Sequence, residues 1–211
     1  MLAVSTAASA SAAPPQHPDQ VITVSVTSSK ATTGVLQAWE RRGEDFTRVR
    51  GPIPVFVGQE GVGRASEQRS RTPRGVFTLT EAFGLARDPG TEFPYTQVGI
   101  SHWWVSDVSS AHYNKMRVCR PGAPCGFSQS ASEQLGAIDA YRYSIVIDYN
   151  REPVVPGRGS AFFLHVSEGK PTQGCISMAA REMKWLLRWL EPAEEPVISI
   201  NIGDAAYSVL D

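Results

Sequence analysis

SAFFLHVSEGKPTQGCISM, residues 160–178, decides how this chain folds and where its chemistry lies. Ser160 to His165 is an apolar strand that ends in an imidazole, and Thr172 to Met178 opens a segment in which Met183, Leu186, Leu187 and Leu190 share one stripe. That spacing predicts a helix over 178–190 with Ser177 as its N-cap, Trp185 and Trp189 widening the apolar face. A thiol just ahead of a helix start meets the positive end of the dipole, which favours thiolate, and a nearby imidazole accepts its proton. Cys175 is therefore the candidate nucleophile and His165 its base. Gly174 has no Cβ, so a substrate carbonyl can approach, while local backbone N–H groups, that of Cys175 included, face a developing oxyanion. A buried cysteine beside a satisfied core histidine would produce the same letters, and both readings stand at this level.

Outward from this stretch the chain reads mostly as strands. Val21–Val26, Gly34–Glu40, Val55–Val57, Val76–Thr80, Tyr143–Tyr149 and Val197–Ile202 are short β-branched or aromatic runs separated by Gly and Pro. The class is mainly β with one prominent helix. Residues 89–132 are long, irregular and aromatic, which suggests a functional insertion over the sheet. Adjacent Trp103 and Trp104 on a strand would put one ring in the core and leave the other for substrate. His102 and Asp107 are residues of this insertion rather than relay partners of Cys175, and Arg181 and Glu182 read as solvated. Gly58 to Arg64 lacks the Gly-Lys-Ser/Thr ending of a phosphate loop and reads as a hairpin.

Residues 1–20 read as a truncated signal peptide or an Ala/Ser-rich leader followed by a Pro-rich linker, and 21–211 as one catalytic domain. Twenty Lys and Arg against 21 Asp and Glu leave a formal charge of −1, which argues against a general nucleic-acid binder. No apolar run is long enough to span a bilayer. Cys119 and Cys125 are separated by a loop with Pro121, Gly122 and Pro124, which bends tightly enough for a disulfide in an oxidising compartment. A metal site would need more ligands than the neighbouring His112, so neither metal nor cofactor is expected. Cys175 is the unpaired thiol.

Thr172-x-Gly174-Cys175-Ile176-x-Met178, with His165 upstream on an apolar strand, resembles the signature of the L,D-transpeptidase catalytic domain, the YkuD-like family. The segment Ser70 to Leu79, with Thr72-Pro73-Arg74-Gly75-Val76-Phe77, is similar to the family's Thr-Pro-x-Gly-x-Phe strand entry. The resemblance implies a β-sandwich-type domain exported to the cell wall, acting on peptidoglycan stem tetrapeptides. Cys175 would attack between the third and fourth stem residues, D-Ala would leave, and an acyl-enzyme would form. A side-chain amine of another stem would resolve it as a cross-link between two third residues, whereas water would give a trimmed tripeptide. Acylation of Cys175 by carbapenem-type β-lactams is implied as well.

The chain also departs from the family pattern. The interval from His165 to Cys175 is short, Gln173 stands where many members carry a second His, and Ser177 replaces an Arg or Asn. Val166 follows the base where Gly or Ser is common. Thr172, Gln173, Gly174 and Ser177 are the candidate oxyanion and substrate-binding residues around Cys175 and His165. The alternatives to transfer are a cysteine carboxypeptidase or endopeptidase on the same stems, or an inactive wall-binding module.

Overall fold

The computed structural model describes residues 17–211, so the leader expected over 1–20 lies, up to residue 16, outside the described residues. In chain order the elements are β1 (Gln20–Val26), β2 (Thr33–Arg42), β3 (Asp45–Phe56), β4 (Val62–Gly63), β5 (Thr72–Pro73), β6 (Gly75–Gly84), β7 (Tyr95–Gln97) and β8 (His102–Trp104). Then come β9 (Met116–Val118), β10 (Glu133–Gln134), β11 (Ser144–Ile147), β12 (Phe163–Val166), β13 (Ile176–Met178), helix α1 (Ala180–Trp189) and β14 (Val197–Ile202). Nine strands form one sheet in the order β11-β12-β13-β3-β2-β1-β14-β6-β7, and pairing of β11 with β6 closes it. The fold is mainly β, sandwich-like, with one α-helix among the described residues.

Alternation in β1 explains its central place. Ile22, Val24 and Val26 enter the aliphatic core, while Thr23 on the other face accepts a hydrogen bond from the Trp39 indole. The helix packs its expected stripe inward, with Met183, Leu186, Leu187 and Leu190 fully buried. Trp185 and Trp189 are partly buried and stack with ring centroids 5.2 Å apart.

The helix begins later than its spacing suggests. Ala180 is its first residue, Ala179 stands at the N-cap without a side-chain cap, and Ser177 is not the cap at all. Ile176–Met178 is instead strand β13, lying parallel to β12 with Leu164 opposite Ile176 and His165 opposite Ser177. Ile176 and Met178 both reach the aliphatic core from a strand, and that burial outweighs extension of the helix. Glu182 is also corrected: it is buried, and ion pairs with Arg50 and Arg181 at 3.1 and 3.0 Å hold its carboxyl below the ordinary range although burial alone pushes it up.

Strand β3 is far longer than the Val55–Val57 run visible in the sequence. Most of its residues are exposed or partly so, and it is held by the hairpin with β2, whose turn places Gly43 at φ 68. A strand facing water on both sides over much of its length leaves no period-two hydrophobic signal. The insertion carries a second sheet, β10-β8-β9, and Cys119 and Cys125 are joined by a disulfide with Cα atoms 6.1 Å apart. Gln129 ties this loop together, its side-chain amide donating to the carbonyls of Arg120 and Ala123.

Candidate active site

The two adjacent strands β12 and β13 set the site by alternation. Leu164, Ile176 and Met178 belong to the aliphatic core, so Phe163 and His165 on β12, with Cys175 and Ser177 around the start of β13, take the opposite face. That face borders a cavity of about 590 Å³, lined in part by Cys175, His165, Ser177, Thr172 and Gln173. The structure thus brings together five of the six expected site residues. Gly174 is the sixth, and it is packed against the wall instead.

Gly174 adopts φ 138, and a Cβ there would meet the Phe162 ring at 2.7 Å and the Arg71 carbonyl at 3.1 Å. Its lack of a side chain permits this close packing. Its N–H donates to Thr172 Oγ1 at 3.1 Å, so it is not turned to an oxyanion. Thr172 Oγ1 in turn donates to the Cys175 carbonyl at 2.6 Å, and Thr72 Oγ1 reaches the same oxygen at 3.4 Å. Thr72 also accepts the Gly58 N–H at 2.8 Å. The two sequence boxes, one around Thr72 and one around Cys175, therefore meet at the backbone of the thiol residue.

The imidazole is oriented by its neighbour's backbone. His165 Nδ1–H donates to the Val166 carbonyl at 2.9 Å, and because a carbonyl can only accept, the neutral ring carries its lone pair on Nε2. Burial pulls the His165 pKa below its ordinary value, against opposing effects of the Val166 hydrogen bond and Glu168. The Tyr141 ring stands edge-on to His165 at 5.5 Å.

The thiol departs from expectation. Cys175 precedes a strand instead of a helix, so no dipole favours its thiolate. Burial pushes the thiol well above its ordinary pKa, and the charge of Glu133 adds to the shift. Its S–H donates to the Ala161 carbonyl at 3.3 Å, while the Phe163 N–H approaches the sulfur at 3.4 Å. Ala161 holds φ 58, a left-handed conformation maintained by its N–H donating to Asn114 Oδ1 at 3.2 Å. Asn114 also accepts from the Trp104 indole at 2.9 Å and donates to the carbonyls of Tyr149 and Asn150. Through this one amide the insertion reaches the backbone that parks the thiol.

Other expected contributors lie elsewhere. Both Trp103 and Trp104 are buried and neither borders the cavity; Trp104 packs on Phe163 at 4.8 Å. His102 Nδ1 accepts the Gly99 N–H, and Asp107 is bonded by Ser109 and Ser128. No group of metal-ligating side chains is present among the described residues. The cavity does contain residues that patterning did not single out. Glu133 and Glu67 border it, each receiving a hydrogen bond from a tyrosine hydroxyl, Tyr141 and Tyr113 respectively. Nothing local in sequence marks these carboxylates, because their surroundings come from segments remote along the chain.

No helix among the described residues is long and apolar enough to cross a membrane. Residues 19–198 match the family model of the L,D-transpeptidase catalytic domain (YkuD). No curated protein and no solved structure matches the chain at a significant level.

Proposed function

The chain belongs to the L,D-transpeptidase catalytic domain family of cell-wall enzymes, and on that premise we propose that it is an exported acyltransferase using Cys175 to join peptidoglycan stems. The observation that carries this is the placement of Cys175 and His165 on one face of β12 and β13, at a cavity, with Nδ1 tied back to a carbonyl and Nε2 left as a base.

In the acylation step the thiol leaves the Ala161 carbonyl and its proton passes to His165 Nε2 as sulfur attacks the carbonyl carbon of the third stem residue. A neutral resting thiol suits this order, because the proton leaves in step with attack and no thiolate has to persist in a buried site. The developing oxyanion is received by the Cys175 N–H, since that of Gly174 is already engaged. Ser177 lines the same cavity, and its buried hydroxyl has no hydrogen-bond partner. The imidazolium then protonates the departing amine of D-Ala, leaving a thioester on Cys175. An amine on a second stem completes a cross-link between third residues; water completes a tripeptide. Gln173, exposed at the rim, contacts the stem.

The experiment is incubation of a disaccharide-tetrapeptide with wild type, scoring D-Ala, cross-linked dimer and tripeptide by mass spectrometry. Dimer is the expected product. Tripeptide without dimer would assign hydrolysis, and no D-Ala would leave a binding module.

A further inference from the structure

Glu133 shares the cavity with Cys175 and His165, yet acylation makes no use of it. It sits on β10, opposite Trp104 in the small sheet of the insertion, and Tyr141 donates its hydroxyl hydrogen to the carboxylate. Because the Tyr141 ring also packs edge-on to His165, one side chain touches both groups. Glu67 faces Glu133 electrostatically, as does the Cys175 thiol; His165, Glu168, Arg69 and Lys170 are the other charged or titratable groups around the cavity. Ser177, whose buried hydroxyl has no partner, also lines the cavity.

Proton counting exposes a gap in the second half of the reaction. Acylation returns His165 to the neutral form, because the proton taken from the thiol goes out with D-Ala. An acceptor amine then arrives as an ammonium, which titrates near about 10.4 in water. It must lose two protons before the new amide is complete, and His165 has a place for one.

Resting on the proposed acyl transfer, we propose that Glu133 is the acceptor-side base, binding the side-chain ammonium of the incoming stem and taking its first proton. The freed amine attacks the thioester carbonyl and forms the C–N bond. His165 Nε2 removes the second proton, the C–S bond breaks, and the imidazolium returns that proton to the leaving thiolate. Glu133 then loses its proton to water. Glu133 thereby acts on the primary-amine acceptor that the proposed transfer already uses.

Two features fit Glu133 to this step. Burial lifts its carboxyl to about 7, with the Tyr141 hydrogen bond opposing and Glu67 reinforcing the rise; a carboxylate of that basicity takes a proton from ammonium more readily than an ordinary one near about 4.3. Its charge opposes a thiolate at Cys175, but the thioester sulfur carries no charge, so the carboxylate is accommodated at the stage that uses it.

The test compares wild type with Glu133→Gln on a tetrapeptide donor, with and without a primary-amine acceptor stem, across the neutral pH range. In the variant, first-turnover D-Ala release stays within about threefold while cross-linked product falls about 10²-fold and tripeptide replaces it. In wild type the ratio of cross-link to tripeptide bends near pH 7, the carboxyl being protonated and idle below it. The bend vanishes in Glu133→Gln. In Tyr141→Phe it moves to higher pH, since that hydroxyl holds the carboxyl down. An unchanged ratio in Glu133→Gln, an equal fall in both products, or a wild-type ratio without a bend overturns the assignment while leaving acyl transfer intact. Absence of D-Ala release from wild type would remove both.

Discussion

The molecule has two cores that meet across β12 and β13, and they are built from different materials. One is aliphatic, with Ile22, Leu36, Leu164, Ile176 and Leu186 filling the space between the sheet and α1. The other is aromatic, with Phe83, Trp104, Tyr141 and Phe163 surrounding Cys175. Phe163 meets Phe83, Trp104 and Tyr141 edge-on at 5.0, 4.8 and 5.4 Å. Aliphatic packing holds the strands in register. Rings with fixed edges and polar tips do something further: the Trp104 indole bonds Asn114, whose amide oxygen holds the Ala161 N–H at the cavity wall, and the Tyr141 hydroxyl bonds Glu133, which borders the cavity itself. Stability and chemistry are therefore divided between the two faces of the same two strands.

The largest effect expected from breaking this division is chemical. Cys175→Ala should reduce D-Ala release by at least about 10³-fold with little loss of fold, and His165→Ala should approach it, because the two act as one unit. Intact-mass analysis after carbapenem treatment should show one adduct on wild type and none on Cys175→Ala; an adduct on the variant would place the nucleophile elsewhere.

On the aliphatic side, Leu186→Ala should destabilise by about 2–5 kcal/mol in denaturant unfolding. The pH profile of Cys175 alkylation should remain where it was. Since burial raises the thiol, that profile in the free protein should still be climbing past pH 9, and a midpoint below the ordinary thiol value would contradict the buried, neutral resting state. Trp104→Phe probes the aromatic side: losing the indole bond to Asn114 opens the site to water, so the alkylation profile should move to lower pH.

Cys119→Ser should lower stability by about 2 kcal/mol, the value for a short closed loop, without altering acylation. Counting thiols under denaturing, non-reducing conditions gives one for wild type if the disulfide is formed. The smallest effect belongs to Thr172→Val, which removes the hydrogen bonds to the Cys175 carbonyl and from Gly174. It should cost about 1–2 kcal/mol in stability and slow acylation, linking loop geometry to the thiol.

Which of these features were visible in the chain itself follows from range. The stripe of α1 and the strand that carries His165 are local patterns, and they were legible. The start of α1 was not, because Ile176-Ser-Met178 alternates equally well as a strand and only the neighbouring β12 decides between them. The dipole argument for a thiolate loses its basis with it, since a dipole at residue 175 required a helix there. Glu133 could not be found from spacing. Its basicity depends on Tyr141 eight residues away and on Glu67 far upstream, brought together only by the closed sheet and its insertion. Thr72 was legible as part of a motif, but its contact with the Cys175 carbonyl was not.

The most direct measurement is mass spectrometry of a purified disaccharide-tetrapeptide incubated with wild type and with Cys175→Ala in the presence of an amine-bearing acceptor stem. Cys175-dependent D-Ala release with formation of a dimer linked through two third residues is the expected result. Dimer formed equally by Cys175→Ala, or no D-Ala from a folded wild-type protein, would contradict acyl transfer through this thiol.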